Sequence, residues 1–188
     1  MGCGKSSVGR KLSELLCCPF KDLDDVIEQT EGRSIPEIFA SDGEPAFRQM
    51  ELEALASVLS LPLKWNTSGS TELILALGGG TVMTPECREI VEKNTICIYQ
   101  KASIETLLEH LEGQTERRPM LSGQGQIEKS EKADNSELRS KIEQLMSKRA
   151  AIYERTAHII IDTDGKSIKS VAEEAIRVIS SHPSRVCL

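Results

Sequence analysis

The first residues of the chain are of the types that bind phosphate. Gly4-Lys5-Ser6 matches the end of the pattern G-x-x-x-x-G-K-[ST], and a helical pattern begins at Lys5. In such a loop, backbone N–H groups at the helix N-terminus surround phosphate oxygens, the lysine reaches the terminal phosphates and the hydroxyl ligates Mg²⁺. The first glycine of the pattern would lie two residues before Met1, and the strand that normally precedes the loop is also missing.

Two other interpretations fit the same residues. Met1-Gly2-x-x-x-Ser6 satisfies the N-myristoylation pattern, and Cys3 would be a palmitoylation site beside it. The stretch could also be a glycine-rich start without a role. These residues alone leave the three interpretations open, so the rest of the chain must decide between them.

Two carboxylates follow at the end of a predicted strand. Because side chains alternate along a strand, Asp22 and Asp24 are expected on opposite sides of the chain, one facing Mg²⁺ and the other a substrate hydroxyl. The alternative is a helix N-cap with acidic residues in the first turn, since Asp25 follows directly.

Arginines and glycines supply the remaining candidates. Arg48 and Glu51 lie three apart on one predicted helix, either as a surface ion pair or as an oriented clamp for an anion. Gly78–Gly80 follow a buried strand, where they form a tight turn or let a ligand approach the backbone. Arg118 lies in a predicted mobile loop and Arg149 on the helix after it; both are solvated charges or part of a closing device for phosphoryl transfer.

The elements that must hold these residues alternate between strand and helix. The continuous apolar run 73–77 suits a strand buried on both faces of a parallel sheet, so the sequence predicts an α/β fold. Residues 61–72 are expected to be a surface loop and residues 113–135 a mobile loop. Strands are predicted at 19–24, 73–77, 95–99 and 158–162, and helices at 5–16, 24–30, 34–41, 44–60, from Pro85, 103–111, 136–155 and 166–181.

Length and composition exclude several classes of protein. A chain of 188 residues suggests one domain, and a net charge of −6 argues against a nucleic-acid binder that relies on bulk charge. No apolar run approaches the length of a membrane span. The six cysteines are read as reduced thiols, and the three histidines have no zinc-ligand spacing.

Taken in order, the motifs resemble the shikimate kinase family. They read G-K-S-S-V-G-R-x-L, D-L-D-x-x-I-E, G-R-S-I-x-E-I-F-x-x-x-G-E-x-x-F-R-x-x-E, L-G-G-G, R-P-M-L and K-R-x-x-x-Y, and span residue 2 to about 162. The resemblance implies a P-loop fold related to nucleoside monophosphate kinases, with three α/β/α layers around a central parallel sheet. It implies a single domain over 1–188, with the phosphate loop at 1–7, substrate-binding helices at about 24–60 and an extended lid at about 113–140.

The resemblance also implies the reaction, in which the γ-phosphoryl group of ATP passes to the 3-hydroxyl of shikimate with Mg²⁺ as cofactor, on the route to chorismate and the aromatic amino acids. Its partners would be shikimate and ATP, without nucleic acid or membrane, and the protein is expected to be a cytoplasmic monomer.

Carried over residue by residue, the family implies catalytic roles for Lys5, Asp24 and Arg118. It implies metal binding by Ser6 and Asp22, and orientation of Arg48 by Glu51. The residues implied to bind ATP are Gly2, Cys3, Gly4, Lys5, Ser6, Ser7 and Arg118, and those implied to bind shikimate are Asp24, Arg48, Gly78, Gly79, Gly80 and Arg149.

Two rival functions remain beside this one. Another small-metabolite kinase, of the gluconate kinase type, is disfavoured by Phe47-Arg48-x-x-Glu51 together with Gly78–Gly80. A non-catalytic relative would be expected to have lost some of the residues that this chain retains. The missing first strand carries a structural expectation of its own, since the strands beside it would expose unpaired backbone groups.

Overall fold

A parallel sheet lies at the centre of the molecule. The structure is a computed structural model and describes residues 3–60, 73–111, 135–179 and 186–188. Within these ranges, five parallel strands form one sheet in the order β1-β2-β5-β3-β4. This arrangement confirms the predicted α/β class. The strands are β1 Phe20–Asp22, β2 Ile74–Ala76, β3 Ile96–Lys101, β4 Ile159–Asp162 and β5 Val186–Cys187.

The helices form at the predicted positions. Their observed ends differ from the predicted ends by a few residues at most. Local signals explain several ends: Ser34 and Glu37 form a reciprocal capping box at one helix start, and Pro85 opens another at a position where its missing N–H costs nothing. The helices are α1 Lys5–Leu16, α2 Leu23–Glu31, α3 Ile35–Ser41, α4 Gly43–Ser60, α5 Pro85–Asn94, α6 Ile104–Leu111, α7 Asn135–Thr156 and α8 Ile168–Ile179, with a 3₁₀ turn at Thr81–Met83.

The sheet buries a different apolar core on each face. Helices α2 to α5 cover one face, where Leu75 of β2 packs, and α1 and α8 cover the other, where the neighbouring Ile74 packs. Both residues are almost fully buried. This explains why β2 reads as a continuous apolar run rather than as an alternating pattern. The three layers agree with the expected architecture.

The expectation of an open gap in the sheet is wrong for this chain. Strand β5 lies between β2 and β3, parallel to both, with Cys187 in register with Leu75 and Cys97. The pairing continues into Leu188, whose N–H donates to Leu75 O (2.9 Å) and whose carbonyl accepts from Leu77 N–H (2.8 Å). This pairing satisfies backbone groups of β2 and β3 that would otherwise be buried without partners. The gain explains why β5 pairs within the sheet although it is only two residues long.

Other expectations are corrected in their bounds. The predicted strand at 19–24 ends at Asp22, and residues 135–140 of the expected lid form the first turns of α7. The rest of the lid and the predicted loop at 61–72 lie outside the described residues. Within the described ranges, no helix is both long and apolar enough to cross a membrane.

Candidate active site

The phosphate-type loop meets α1 at the carboxyl edge of the sheet. Gly4 is the N-cap of α1 with φ of 79°, a left-handed conformation that favours glycine, and its carbonyl accepts from Val8 N–H at 2.9 Å. The first N–H groups of α1 have no helical partner and carry the positive end of the helix dipole, so they can receive an anion. Lys5, Ser6 and Ser7 form the first helical turn.

A hydroxyl and a carboxylate lie together below this turn. Ser6 Oγ donates to Asp22 Oδ2 at 2.6 Å, and Asp22 is both the last residue of β1 and the N-cap of α2. No group of three or more acidic, histidine or cysteine side chains suited to a metal is found among the residues that the structure describes. The Ser6–Asp22 pair nevertheless fits Mg²⁺, which takes one or two protein oxygens and completes its shell with phosphate and water.

Asp24 lies in the first turn of α2, because the strand ends two residues earlier than predicted. Its backbone N–H donates to Asp22 Oδ1 at 3.1 Å, so Asp22 is the helix N-cap that the alternative predicted. The two carboxylates are also neighbours, as the paired-carboxylate hypothesis requires. Burial, followed by the negative charge of Asp22, raises the pKa of Asp24 to about 6, while Lys5 opposes the shift. Asp24 is therefore a carboxylate that can accept a proton near neutral pH.

Arg48 is held by two carboxylates of its own helix. It forms an ion pair with the fully buried Glu51, and its Nη2 donates to Glu44 Oε1 at 2.8 Å. The other Glu51 oxygen accepts from the Thr81 hydroxyl at 2.7 Å. Sequence reasoning missed Glu44 and Thr81. The spacing of four residues between Glu44 and Arg48 was a signal from which the Glu44 ion pair could have been predicted. Thr81 comes from a turn distant in sequence, and no sequence signal pointed to its contact.

Gly78 and Gly80 leave room for the side chains around them. A Cβ on Gly78 would lie 2.8 Å from Glu51 Oε1 and 3.0 Å from Asp24 Oδ1. A Cβ on Gly80 would lie 2.6 Å from Arg48 Nη2. Only a residue without a side chain lets the carboxylates and the guanidinium approach the backbone this closely.

Helix α7 brings the second arginine to this turn. Arg149, which is 8% exposed, donates through Nη1 to the Gly79 carbonyl at 3.2 Å, and the Tyr153 hydroxyl donates to the same oxygen. Tyr153 belongs to the K-R-x-x-x-Y motif, but the sequence assigned it no role. Gly2 and Arg118 lie outside the described residues.

The arrangement combines charges of both signs at one edge of the sheet. Lys5 from α1 contributes to the field at the Asp24 carboxylate, and the Gly78–Gly80 turn connects Asp24 with Arg48 and Arg149 through the contacts above. Such a site can bind an anion through arginine, accept a proton from a hydroxyl and receive a phosphate at the helix N-terminus.

Comparisons with known proteins agree on one family. The family model described as shikimate kinase matches residues 1–180. The shikimate kinase of Chlorobaculum parvum is 37% identical over 98% of this chain and 91% of its own, and that of Thermus thermophilus is 37% identical over 97% and 87%. The structure resembles shikimate kinase from Acinetobacter baumannii in complex with shikimate, with a TM-score of 0.80 and 31% identity over 96% of this chain and 89% of that one.

Proposed function

The chain belongs to the shikimate kinase family, and from that membership we propose how its residues transfer the γ-phosphoryl group of ATP to the 3-hydroxyl of shikimate. The observation that carries the assignment of roles is the position of Asp24. Its carboxylate has a raised pKa, abuts the Gly78 turn and lies in the field of Lys5. The proposed base, the glycine turn proposed to bind shikimate and the lysine proposed to bind phosphate are therefore close to one another.

Arg48 and Arg149 bind the shikimate carboxylate. A guanidinium offers a planar fork of donors that matches a carboxylate, which a lysine ammonium cannot do. Glu51 fixes one face of Arg48 from a fully buried position, so the arginine is oriented before substrate arrives. The backbone of Gly78, Gly79 and Gly80 forms the floor on which the substrate ring lies.

The phosphates of ATP bind at the N-terminus of α1. Backbone N–H groups from Cys3 to Ser7 surround the phosphate oxygens, together with Gly2, and Lys5 contacts the β- and γ-phosphates. We assign Arg118 the role of closing over the transferring group. Mg²⁺ would be held by Ser6 and Asp22, and when bound it neutralises charge between the β- and γ-phosphates.

In the reaction, Asp24 accepts the proton of the 3-hydroxyl as that oxygen forms its bond to the γ-phosphorus. The bond from the γ-phosphorus to the bridging oxygen breaks, and ADP leaves with the electron pair. Lys5 and Arg118 stabilise the charge that spreads over the phosphoryl oxygens, an interaction that strengthens in the transition state. A carboxylate with a pKa of about 6 is mostly ionised at pH 7 and ready to act as the base.

The test is a coupled assay of ADP release by the full chain with Mg·ATP, with and without shikimate, and with gluconate in its place. We expect turnover that depends on shikimate and falls about 10²- to 10³-fold in Lys5→Ala. Lys11→Ala is the matched control, because Lys11 lies on the same helix and pairs with Glu14 at 2.8 Å away from the site. ADP release without dependence on shikimate, or equal turnover with gluconate, would contradict the proposal.

We further propose that the protein works as a monomer in the cytoplasm. All six cysteines are free thiols, which is the state that a reducing compartment maintains. Light scattering of the purified protein at assay concentration measures the first point; a dimer mass would contradict it.

A further inference from the structure

A fully buried threonine follows the glycine turn and has no role in the proposed reaction. Thr81 is 0% exposed and is the first residue of the 3₁₀ turn. Its backbone N–H donates to the Gly78 carbonyl at 3.2 Å, and its own carbonyl accepts from Thr84 N–H at 3.2 Å. The backbone of Thr81 therefore closes the turn on which shikimate is proposed to lie.

The side chain of Thr81 connects this turn to helix α4. Its hydroxyl donates to Glu51 Oε1 at 2.7 Å, and the other oxygen of Glu51 accepts from Arg48. A hydroxyl has a single proton to donate, and in Thr81 that proton is used for Glu51. One residue thus contacts both the glycine turn, through its backbone, and the carboxylate that holds Arg48, through its side chain.

Glu51 depends on these donors because it is completely shielded from water. Its side chain is 0% exposed, and a buried carboxylate is costly unless hydrogen bonds and an opposite charge compensate it. Each of its two oxygens has a donor of its own, so a rotation of the carboxylate would break both contacts. The hydroxyl of Thr81 thereby fixes the orientation in which Glu51 meets the guanidinium of Arg48.

The geometry around Gly78 shows how closely these groups are packed. A Cβ on Gly78 would lie 2.8 Å from Glu51 Oε1 and 3.0 Å from Thr81 Oγ1. On the next side of the turn, a Cβ on Gly80 would lie 2.6 Å from Arg48 Nη2. The hydroxyl, the carboxylate and the guanidinium are therefore all fixed against the same three-glycine turn.

We propose that Thr81 is a positioning residue for substrate binding: its hydroxyl fixes Glu51, and Glu51 holds Arg48 in the orientation that receives the carboxylate of shikimate. This role rests on the proposed function, which assigns that carboxylate to Arg48. Without the hydroxyl, Glu51 keeps its ion pair with Arg48 but loses its connection to the turn. Part of the binding free energy is then spent on ordering Arg48 when shikimate arrives.

The turn has other anchors, so the removal of one hydroxyl should leave it folded. Arg88 of α5 donates to the carbonyls of Val82 at 3.0 Å and Met83 at 3.3 Å, and Met83 N–H donates to the Gly80 carbonyl at 2.9 Å. These bonds do not involve the side chain of Thr81. Thr81→Val, which replaces the hydroxyl by a methyl group, therefore tests the bond to Glu51 specifically.

The first experiment is steady-state kinetics of the full chain with Thr81→Val and Thr81→Ser. We expect Thr81→Val to raise the KM for shikimate about tenfold, the effect of losing a hydrogen bond to a charged group, while kcat and the KM for ATP stay within about twofold of wild type. Thr81→Ser keeps the hydroxyl and should restore the KM. An unchanged KM in Thr81→Val, or a serine variant as impaired as the valine variant, would overturn the proposal.

The matched control is Thr95→Val at the end of α5. Thr95 is also buried, and its hydroxyl donates to the Val91 carbonyl at 2.7 Å, so this variant loses a buried hydrogen bond without touching Glu51's orientation. Its free energy of unfolding should fall, while its KM for shikimate should stay unchanged. An equal rise in KM for Thr95→Val and Thr81→Val would reduce the effect to general destabilisation and overturn the positioning role.

The second experiment is a double-mutant cycle between Thr81→Val and Arg48→Ala. In the Arg48→Ala background, Thr81→Val should have little further effect on the KM for shikimate, and full additivity would overturn the proposal. The same cycle is measured by urea denaturation without substrate, where the two changes should be non-additive in the free energy of unfolding. Because unfolding does not depend on shikimate, it decides whether the two residues are coupled even if the wild type fails to turn over shikimate, a failure that would count against the proposed function alone.

Discussion

Replacing Asp24 by asparagine should stabilise the protein while it removes activity. In the folded chain the pKa of Asp24 is raised from 3.8 to about 6, by burial first and by Asp22 second. Asp24 therefore binds its proton more tightly in the folded chain than in the unfolded one, and stability falls as the pH rises through the window between these two values. A neutral isostere avoids this cost.

The size of the effect follows from the two pKa values. A difference of about two units corresponds to about 3 kcal/mol at pH 7 and to about half of that at pH 5, where much of Asp24 is still protonated in the folded state. These are upper values, because Asp24 is only partly buried and the substitution also loses its attraction to Lys5. We expect Asp24→Asn to gain about 1–3 kcal/mol at pH 7, and less at pH 5.

Urea denaturation in Mg²⁺-free buffer at both pH values measures the gain, with Glu92→Gln as control because Glu92 is an exposed carboxylate on α5. Steady-state kinetics should show a loss in kcat of about 10²- to 10⁴-fold for Asp24→Asn, the range that a general base contributes. An asparagine variant that is no more stable at pH 7, or that gains equally at both pH values, would refute the reasoning.

Three further substitutions test the substrate site. Glu51→Gln should lower the free energy of unfolding by about 2 kcal/mol and raise the KM for shikimate, because Arg48 loses a fully buried counter-charge. Urea titration measures the first effect and steady-state kinetics the second, and an unchanged KM would exclude the orienting role. Gly80→Ala should raise the same KM about tenfold by displacing Arg48, and in an Arg48→Ala background it should have little further effect, so full additivity of the two changes would argue against the mechanism. Arg149→Ala should raise the KM for shikimate about 10- to 100-fold, whereas Arg155→Ala, exposed on the same helix, should leave it unchanged; equal effects of the two would contradict the assignment.

Local patterns were sufficient to predict most of the elements of this fold. The apolar run at 73–77 predicted a strand buried on both faces, and the structure shows that burial, because the hydrophobic pattern reports directly which faces meet a core. The boundary at Asp22 was harder to place. A strand and a helix N-cap compete for that residue, and in the structure it serves both elements.

Features that depend on distant contacts could not be predicted. Strand β5 is two residues long and has no pattern of its own, so only the gap between β2 and β3 explains why it pairs there. Thr81 contacts Glu51 across thirty positions of sequence, and no spacing rule connects them.

The position of β5 in the sheet means that the same fold can be built from a chain in which the elements follow one another in a different order. Leu188 continues β5 to the carboxyl edge of the sheet, where it and Cys3 line the same cavity. A linker from Leu188 to Cys3 would therefore create an uninterrupted strand–loop–helix unit out of segments that now lie far apart in sequence. Opening the chain at Gly165, in the exposed turn between β4 and α8, would complete a circular permutation that leaves every element of the sheet in its present place.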